Sequence, residues 1–275
     1  MTATDMMACI PVAHRLAEAA RPIALRYFRT SGLGVDDKSS PGVAYDPVTL
    51  ADREIERAMR DILAAERPGD GILGEEYDAV PSRSGITWVL DPIDGTRAYL
   101  CGLPNWGVLI AVNDGARPVY GIMDQPFTGE RFAGGIAEGP AGTGGSATLH
   151  HGTSQRPLSA RDTTTLAESL MCCTDPTMFR GDAEQAAFAR MTARVRMTRY
   201  GTDCTGYALL AMGQVDLVVE SSLKPYDIQA LMPIIEAAGG VVTDWQGGDA
   251  QHGGQVIAAA TPALHAAAIS VLDGP

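Results

Sequence analysis

The 275-residue chain lacks an excess of basic side chains, a paired cysteine pattern and any apolar run of membrane-spanning length, and each absence removes a class of function. Its 21 Lys and Arg face 33 Asp and Glu, a net charge of −12. Binding nucleic acid takes a concentrated surplus of positive charge, so no nucleic acid partner is expected. An acidic enzyme acting on a phosphate needs metal ions to offset the repulsion. Five cysteines, at 9, 101, 172, 173 and 204, are odd in number and show no C-x-x-C spacing. That argues against a zinc site or disulfide framework and for small buried hydrophobes. A bilayer span takes about 20 apolar residues in a row. None occurs here, and the N-terminus has no basic region followed by an apolar core, so the protein is expected away from membranes, reduced and cytoplasmic. The Ser, Cys and His residues form no recognisable nucleophile and base arrangement. What is present, 45% hydrophobic and 20% charged residues, suits a folded protein of one large or two ordinary domains.

The stretch 87–99, Thr-Trp-Val-Leu-Asp-Pro-Ile-Asp-Gly-Thr-Arg-Ala-Tyr, is the one around which the remaining chemistry gathers. Residues 87–90 are β-branched, aromatic or aliphatic and predict a strand arriving at a sheet edge, ended by Asp91 and stopped by Pro92. Gly95 allows a backbone N–H to lie bare against a ligand. Asp91 and Asp94 then share one turn with the amides of Gly95 and Thr96. Carboxylates attract hard divalent cations and free amides attract phosphate oxygens, so one turn can serve both. An isolated Asp-Gly is ordinary turn chemistry. Here acidic residues recur wherever the chain is expected to return to the same edge.

Residues 5–30 have helical spacing, with Pro22 as a kink, and 32–47 read as a loop on which Lys38 is a solvated charge. A helix is expected over 49–66, capped by Thr49 with Asp52 reaching back. Gly74-Glu75-Glu76 follows an apolar triplet; adjacent carboxylates are tolerated in full solvent or beside a cation. Strands are expected at 106–112 and 119–124, a Gly-rich loop at 134–145, and surface histidines at 150 and 151. Beyond Pro157 the pattern alternates: strand 166–173, helix 184–193, strand 195–200, helix 206–212, strand 215–220, helix 228–238 and strand 241–243, an α/β lobe. Asp227 stands before the 228–238 helix as its N-cap.

Gly74-Glu75-Glu76, the run Trp88 to Thr96, and Tyr226-Asp227 ahead of Ala238-Gly239-Gly240 resemble, in order and spacing over essentially the whole chain, the inositol monophosphatase family. Asp46 to Asp52 is similar to that family's further acidic element. The wording around Gly95-Thr96-Arg97-Ala98-Tyr99, 102–107, 199–204 and 223–227 resembles its histidinol-phosphatase branch. Cys101, where Ser is expected, and the long loop at 139–145 depart from the pattern.

The resemblance implies a layered αβαβα sandwich of the α+β class, an N-terminal α+β lobe over 1–155 and a C-terminal α/β lobe over 156–275, assembled as a homodimer. It implies two or three Mg²⁺ ions held by Glu75, Asp91, the Ile93 carbonyl, Asp94 and Asp227. Asp52, Glu75 and Thr96 would be catalytic, Asp52 and Thr96 polarising the attacking water. The substrate, a small phosphate monoester, would meet Asp94, Gly95, Thr96, Gly201, Thr202, Asp203, Glu220 and Asp227. If that substrate is L-histidinol phosphate, with its ammonium and imidazole, Asp203 and Glu220 are placed to supply acceptors away from the metals. Inositol phosphate, a nucleotide 3′-phosphate and a sugar bisphosphate are the alternatives, and a protein that kept the fold but lost turnover is the third reading.

Overall fold

A computed structural model describes residues 7–31, 34–37, 47–135 and 145–274. Lys38, Asp46 and the Gly-rich loop between 136 and 144 lie outside the described residues.

Two sheets carry the architecture. The first has seven strands in the order β3-β4-β5-β6-β7-β8-β9, from β3 (Gly71–Gly74) and β4 (Thr87–Asp94) through β5 (Gly107–Asn113), β6 (Pro118–Gln125), β7 (Glu130–Gly135) and β8 (Ser146–His151) to β9 (Ser154–Pro157). Only β3 and β4 run parallel; the rest is an antiparallel meander. The second sheet has the order β11-β10-β12-β14-β13, with β10 (Leu170–Cys173), β11 (Met197–Tyr200) and β12 (Leu217–Leu223) parallel, and β13 (Val241–Asp244) and β14 (Gly254–Ala259) antiparallel. A short pair, β1 (Asp36–Asp37) with β2 (Pro47–Val48), precedes them.

Strand alternation sends each sheet's side chains to two different cores. On β5, Val108, Ile110 and Val112 face α1 (Cys9–Tyr27) and α2 (Leu50–Glu66), while Leu109 and Ala111 face the helices between the sheets. That middle layer holds α5 (Asp203–Ala211), α6 (Pro225–Ile228) and α7 (Leu231–Ala237). On β12, Val218 points inward to it, whereas Leu217 and Val219 point out to α4 (Gly181–Thr192) and α8 (Pro262–Leu272). The succession is α, β, α, β, α, the layered sandwich expected. Gly121 is what lets the middle layer close: a Cβ there would lie 1.8 Å from the Ala230 carbonyl oxygen at the head of α7.

Some local expectations fail for identifiable reasons. The strand at 87–90 does not end at Asp91; β4 continues through Pro92 to Asp94, with a register shift against β5 between Asp91 and Asp94. β3 stops pairing at Leu90, so Pro92 lies on a free flank where its missing N–H breaks no ladder bond. The helix expected at 228–238 is two pieces, because Pro233 cannot donate to the carbonyl four residues back. Nor is Asp227 an N-cap: Pro225 takes the first helical position, which makes Asp227 the third residue of α6, its Oδ2 accepting from the backbone N of Lys224 at 2.7 Å. Residues 166–168 form a 3₁₀ turn ahead of β10. The cap at 49–52 is as expected: Thr49 N and Oγ1 donate to Asp52, 2.9 and 2.5 Å.

Candidate active site

The site is built where β4 leaves the first sheet. Asp91 and Ile93 are buried at its end, and Gly95, at φ +84°, turns the chain into α3 (Thr96–Leu100). A side chain at Gly95 would meet the Asn105 carbonyl at 2.6 Å and Trp106 Cα at 3.1 Å. Thr96 closes the turn by donating its Oγ1 to the Ile93 carbonyl at 3.0 Å.

α6 brings Asp227 to the same place. One carboxylate oxygen from each of Asp91, Asp94 and Asp227 lies within 4.8 Å of the others. Asp94 is steadied from the start of α5, its Oδ2 accepting from the backbone N of Cys204 at 2.7 Å. Asp91 Oδ1 is buried and finds no hydrogen-bond partner among the described residues. Burial first, then the repulsion of Glu75, Asp94, Asp227 and Asp52, holds the Asp91 carboxyl well above the usual range, and burial followed by Asp94 does the same for Asp227. An all-oxygen donor set with an open buried lone pair and mutual repulsion fits a hard divalent cation, which reverses the sign of that electrostatic cost.

Glu75 stands beside this triad rather than within it, adding its charge to both Asp91 and Asp227 and lining the outer part of the cleft. Its turn is held by Glu56, a fully buried residue that the sequence reading passed over. Glu56 accepts from Glu76 N and from Arg60 Nε, both at 2.8 Å, and a Cβ on Gly74 would sit 2.0 Å from its Oε1. Asp52 is buried, and desolvation lifts its carboxyl to about 6 against the two hydrogen bonds from Thr49.

The opposite wall belongs to the second sheet. Glu220, on β12, is 2% exposed; its Oε1 accepts from Thr174 N (2.9 Å) and Oγ1 (2.6 Å), and its Oε2 from Tyr207 OH (2.9 Å). Burial lifts Glu220 to about 7. Asp203 opens α5 at φ +43° and is lifted to about 8 by burial, Asp94 and Glu220, with Arg97 opposing. Between the walls is a cavity of about 230 Å³ lined by Asp94, Gly95, Thr96, Asp203, Glu220 and Asp227, together with Thr174 and Tyr207. It opens toward a second space of about 490 Å³. Gly201 and Thr202 lie behind the wall: the Gly201 carbonyl accepts from Asn105 Nδ2 at 2.7 Å, and Thr202 precedes α5 without a side-chain cap bond and packs on Gly206. Thr174 and Tyr207 were not anticipated. One signal was available for Thr174, since β10 and β12 are parallel and ligand sites gather at the carboxyl ends of such strands.

A layered α/β arrangement with an acid triad at a strand end and a second acidic wall across a cleft describes a hydrolase for phosphate monoesters. The sequence model of the inositol monophosphatase family matches residues 5–274. The chloroplastic bifunctional phosphatase IMPL2 of Arabidopsis thaliana is 38% identical over 246 residues, 89% of this chain and 66% of that protein, so the chain spans about two thirds of that relative. A histidinol-phosphatase of Chlorobaculum parvum is 31% identical over 255 residues, 93% of both chains. The solved structure of an inositol monophosphatase from Zymomonas mobilis superposes with a TM-score of 0.81 at 38% identity, covering 100% of each chain. The chain belongs to the inositol monophosphatase family. No helix among the described residues is long and apolar enough to cross a membrane.

Proposed function

We propose that the protein is a Mg²⁺-dependent phosphatase that hydrolyses L-histidinol phosphate to L-histidinol and phosphate. One observation carries the choice of substrate: the cavity facing the acid triad is walled by two further acids, the half-buried Asp203 and the buried Glu220. A neutral polyol gains little from buried carboxylates, whereas an ammonium or imidazolium forms charge-assisted hydrogen bonds with them. Histidinol-phosphatases among the relatives agree with this reading, and an inositol monophosphatase among the structural neighbours supplies its rival.

In this reading Asp91, Asp94 and Asp227 hold the metal ions, with Glu75 and the Ile93 carbonyl completing the donor set. When bound, Mg²⁺ lowers the pKa of a coordinated water and offsets the charge on the leaving oxygen. Gly95 and Thr96 offer backbone N–H groups to the phosphoryl oxygens, at a turn where a side chain would intrude. Thr96 Oγ1 gives its proton to the Ile93 carbonyl, so its lone pairs are left to accept from the attacking water. Asp52, kept from its neighbours by the Thr49 cap, supports that water. Asp203 and Glu220 take the cationic part of the alcohol as it leaves. The homodimer is part of the same proposal, as is work in the cytoplasm, where the five free cysteines would stay reduced; light scattering reads the former directly.

A phosphate-release panel at fixed Mg²⁺ tests the function. The expected result is a higher kcat/KM for L-histidinol phosphate than for inositol 1-phosphate, a nucleotide 3′-phosphate or fructose 1,6-bisphosphate. Preference for any of the others overturns the substrate, and no turnover of any overturns the enzyme.

A further inference from the structure

Asp175 belongs to none of the motifs above, yet it stands at the mouth of the same cleft. β10 and β12 run parallel with Cys172 opposite Val218, so the chain leaves both at one edge, placing Thr174 against Glu220 and Asp175 just beyond. The Asp175 carboxylate is fixed from one side. Its Oδ1 accepts from both N and Oγ1 of Thr177, each at 2.8 Å, capping the 3₁₀ turn Pro176–Met178. Its Oδ2 faces across the cleft to Arg97 Nη1 at 3.7 Å, too far for a hydrogen bond and close enough for attraction. Arg97 follows Thr96 in the phosphate turn, so this pair joins the two walls at the entrance. Both residues line the outer space of about 490 Å³, while Asp203 and Glu220 line the inner one of about 230 Å³.

The cleft therefore presents carboxylates at two depths: an inner pair next to the reacting phosphate and, in the outer space, Asp175, which shares that space with Glu75 and Asp227 and with the cations Arg97, Arg180 and Lys224. A leaving alcohol with one positive charge is satisfied by the inner pair alone. One with two separated cationic groups reaches the outer carboxylate as well. We infer that Asp175 is a specificity-determining residue, the acceptor for the outer cationic group of the leaving alcohol, and that Arg97 is the partner this group replaces on binding. The inference rests on the histidinol phosphate reading and extends it, since that alcohol carries an ammonium and an imidazole on either side of a short chain.

Asp175→Asn tests it, because Asn keeps an Oδ1 that can cap Thr177 and so preserves the turn. The readout is the ratio of kcat/KM for L-histidinol phosphate to that for inositol 1-phosphate, in the wild type and the variant at fixed Mg²⁺. The ratio is expected to fall about fivefold, through KM, the size appropriate to a half-exposed charge pair. A wild type that prefers histidinol phosphate, with an unaltered ratio in the variant, overturns the role of Asp175 and leaves the substrate standing. Equal losses on both substrates mean a structural residue and overturn it too. A wild type that prefers inositol 1-phosphate overturns both readings.

Discussion

The two acidic walls of the cleft treat their carboxylates in opposite ways. On the first-sheet side Asp91 has a buried oxygen with no donor among the described residues, and it shares a volume less than 5 Å across with Asp94 and Asp227. On the second-sheet side Glu220 is just as buried, yet three donors from Thr174 and Tyr207 hold it. The first arrangement is costly in itself and becomes favourable only with a small multivalent cation. The second is already satisfied by protein, so it offers a fixed field and shape with lone pairs to spare, which suits an organic cation that comes and goes. Buried acids thus divide by how fully their own neighbours have satisfied them.

The largest expected effect comes from breaking the first wall. Asp94→Asn keeps an oxygen for Cys204 N but loses the charge that the proposed metal site requires, and phosphate release should fall about a thousandfold for every substrate. Next comes the second wall: Asp203→Ala should raise KM for histidinol phosphate about tenfold and far less for inositol 1-phosphate, and equal changes would remove its role in recognition. The contrast sharpens with Asp91→Asn. Because burial and like charges raise the folded carboxyl above its unfolded value, ionised Asp91 opposes folding at pH 7, and its removal should raise the melting temperature by about 3 °C in EDTA. In saturating Mg²⁺ the order should invert, with the wild type the more stable, since only it gains full binding energy.

The smallest effect lies far from the cleft, at His14. Its ring sits between Tyr120 OH (3.0 Å) and Arg131 Nη1 (3.2 Å), beside His150, and burial followed by Arg131 lowers it to about 4 from 6.5. The unfolded chain takes up that proton first, so stability from this group is complete above pH 6.5 and is lost as pH falls toward 4. His14→Asn should flatten the decline in melting temperature between pH 7 and 5 relative to the wild type. An identical decline would place the titration elsewhere.

How much of this could be read from the chain alone depended on sequence distance. Asp91, Asp94, Gly95 and Thr96 are neighbours, so their chemistry is visible without a fold, and the Thr49 cap is equally local. The layers were legible through periodicity on helices and strands, as β5 shows by sending alternate side chains into two cores. Thr174 and Asp175 were not, because what brings them to Glu220 and Arg97 is the register of parallel strands far apart in the chain, and Tyr207 was not, because its hydroxyl reaches Glu220 only through the packing of α5 on β12. Glu56 escaped because a Glu on a helix looks like surface charge until its backbone partner at Glu76 is known. Asp227 was read as an N-cap and lies instead inside α6, because Pro225 at the first helical position starts that helix earlier than the apolar pattern indicates.

The missing side chain at Gly121 reaches further than its own strand. Ala230 is the first residue beyond Gln229, and α6 with Asp227 is anchored just ahead of it, so a methyl group at 121 would act as a wedge under that anchor. The carboxylate it would displace belongs to a residue only three positions ahead of that contact, so a change in the floor of the first sheet would surface as a loosened acid triad, and in the proposed enzyme as a poorer hold on its metal.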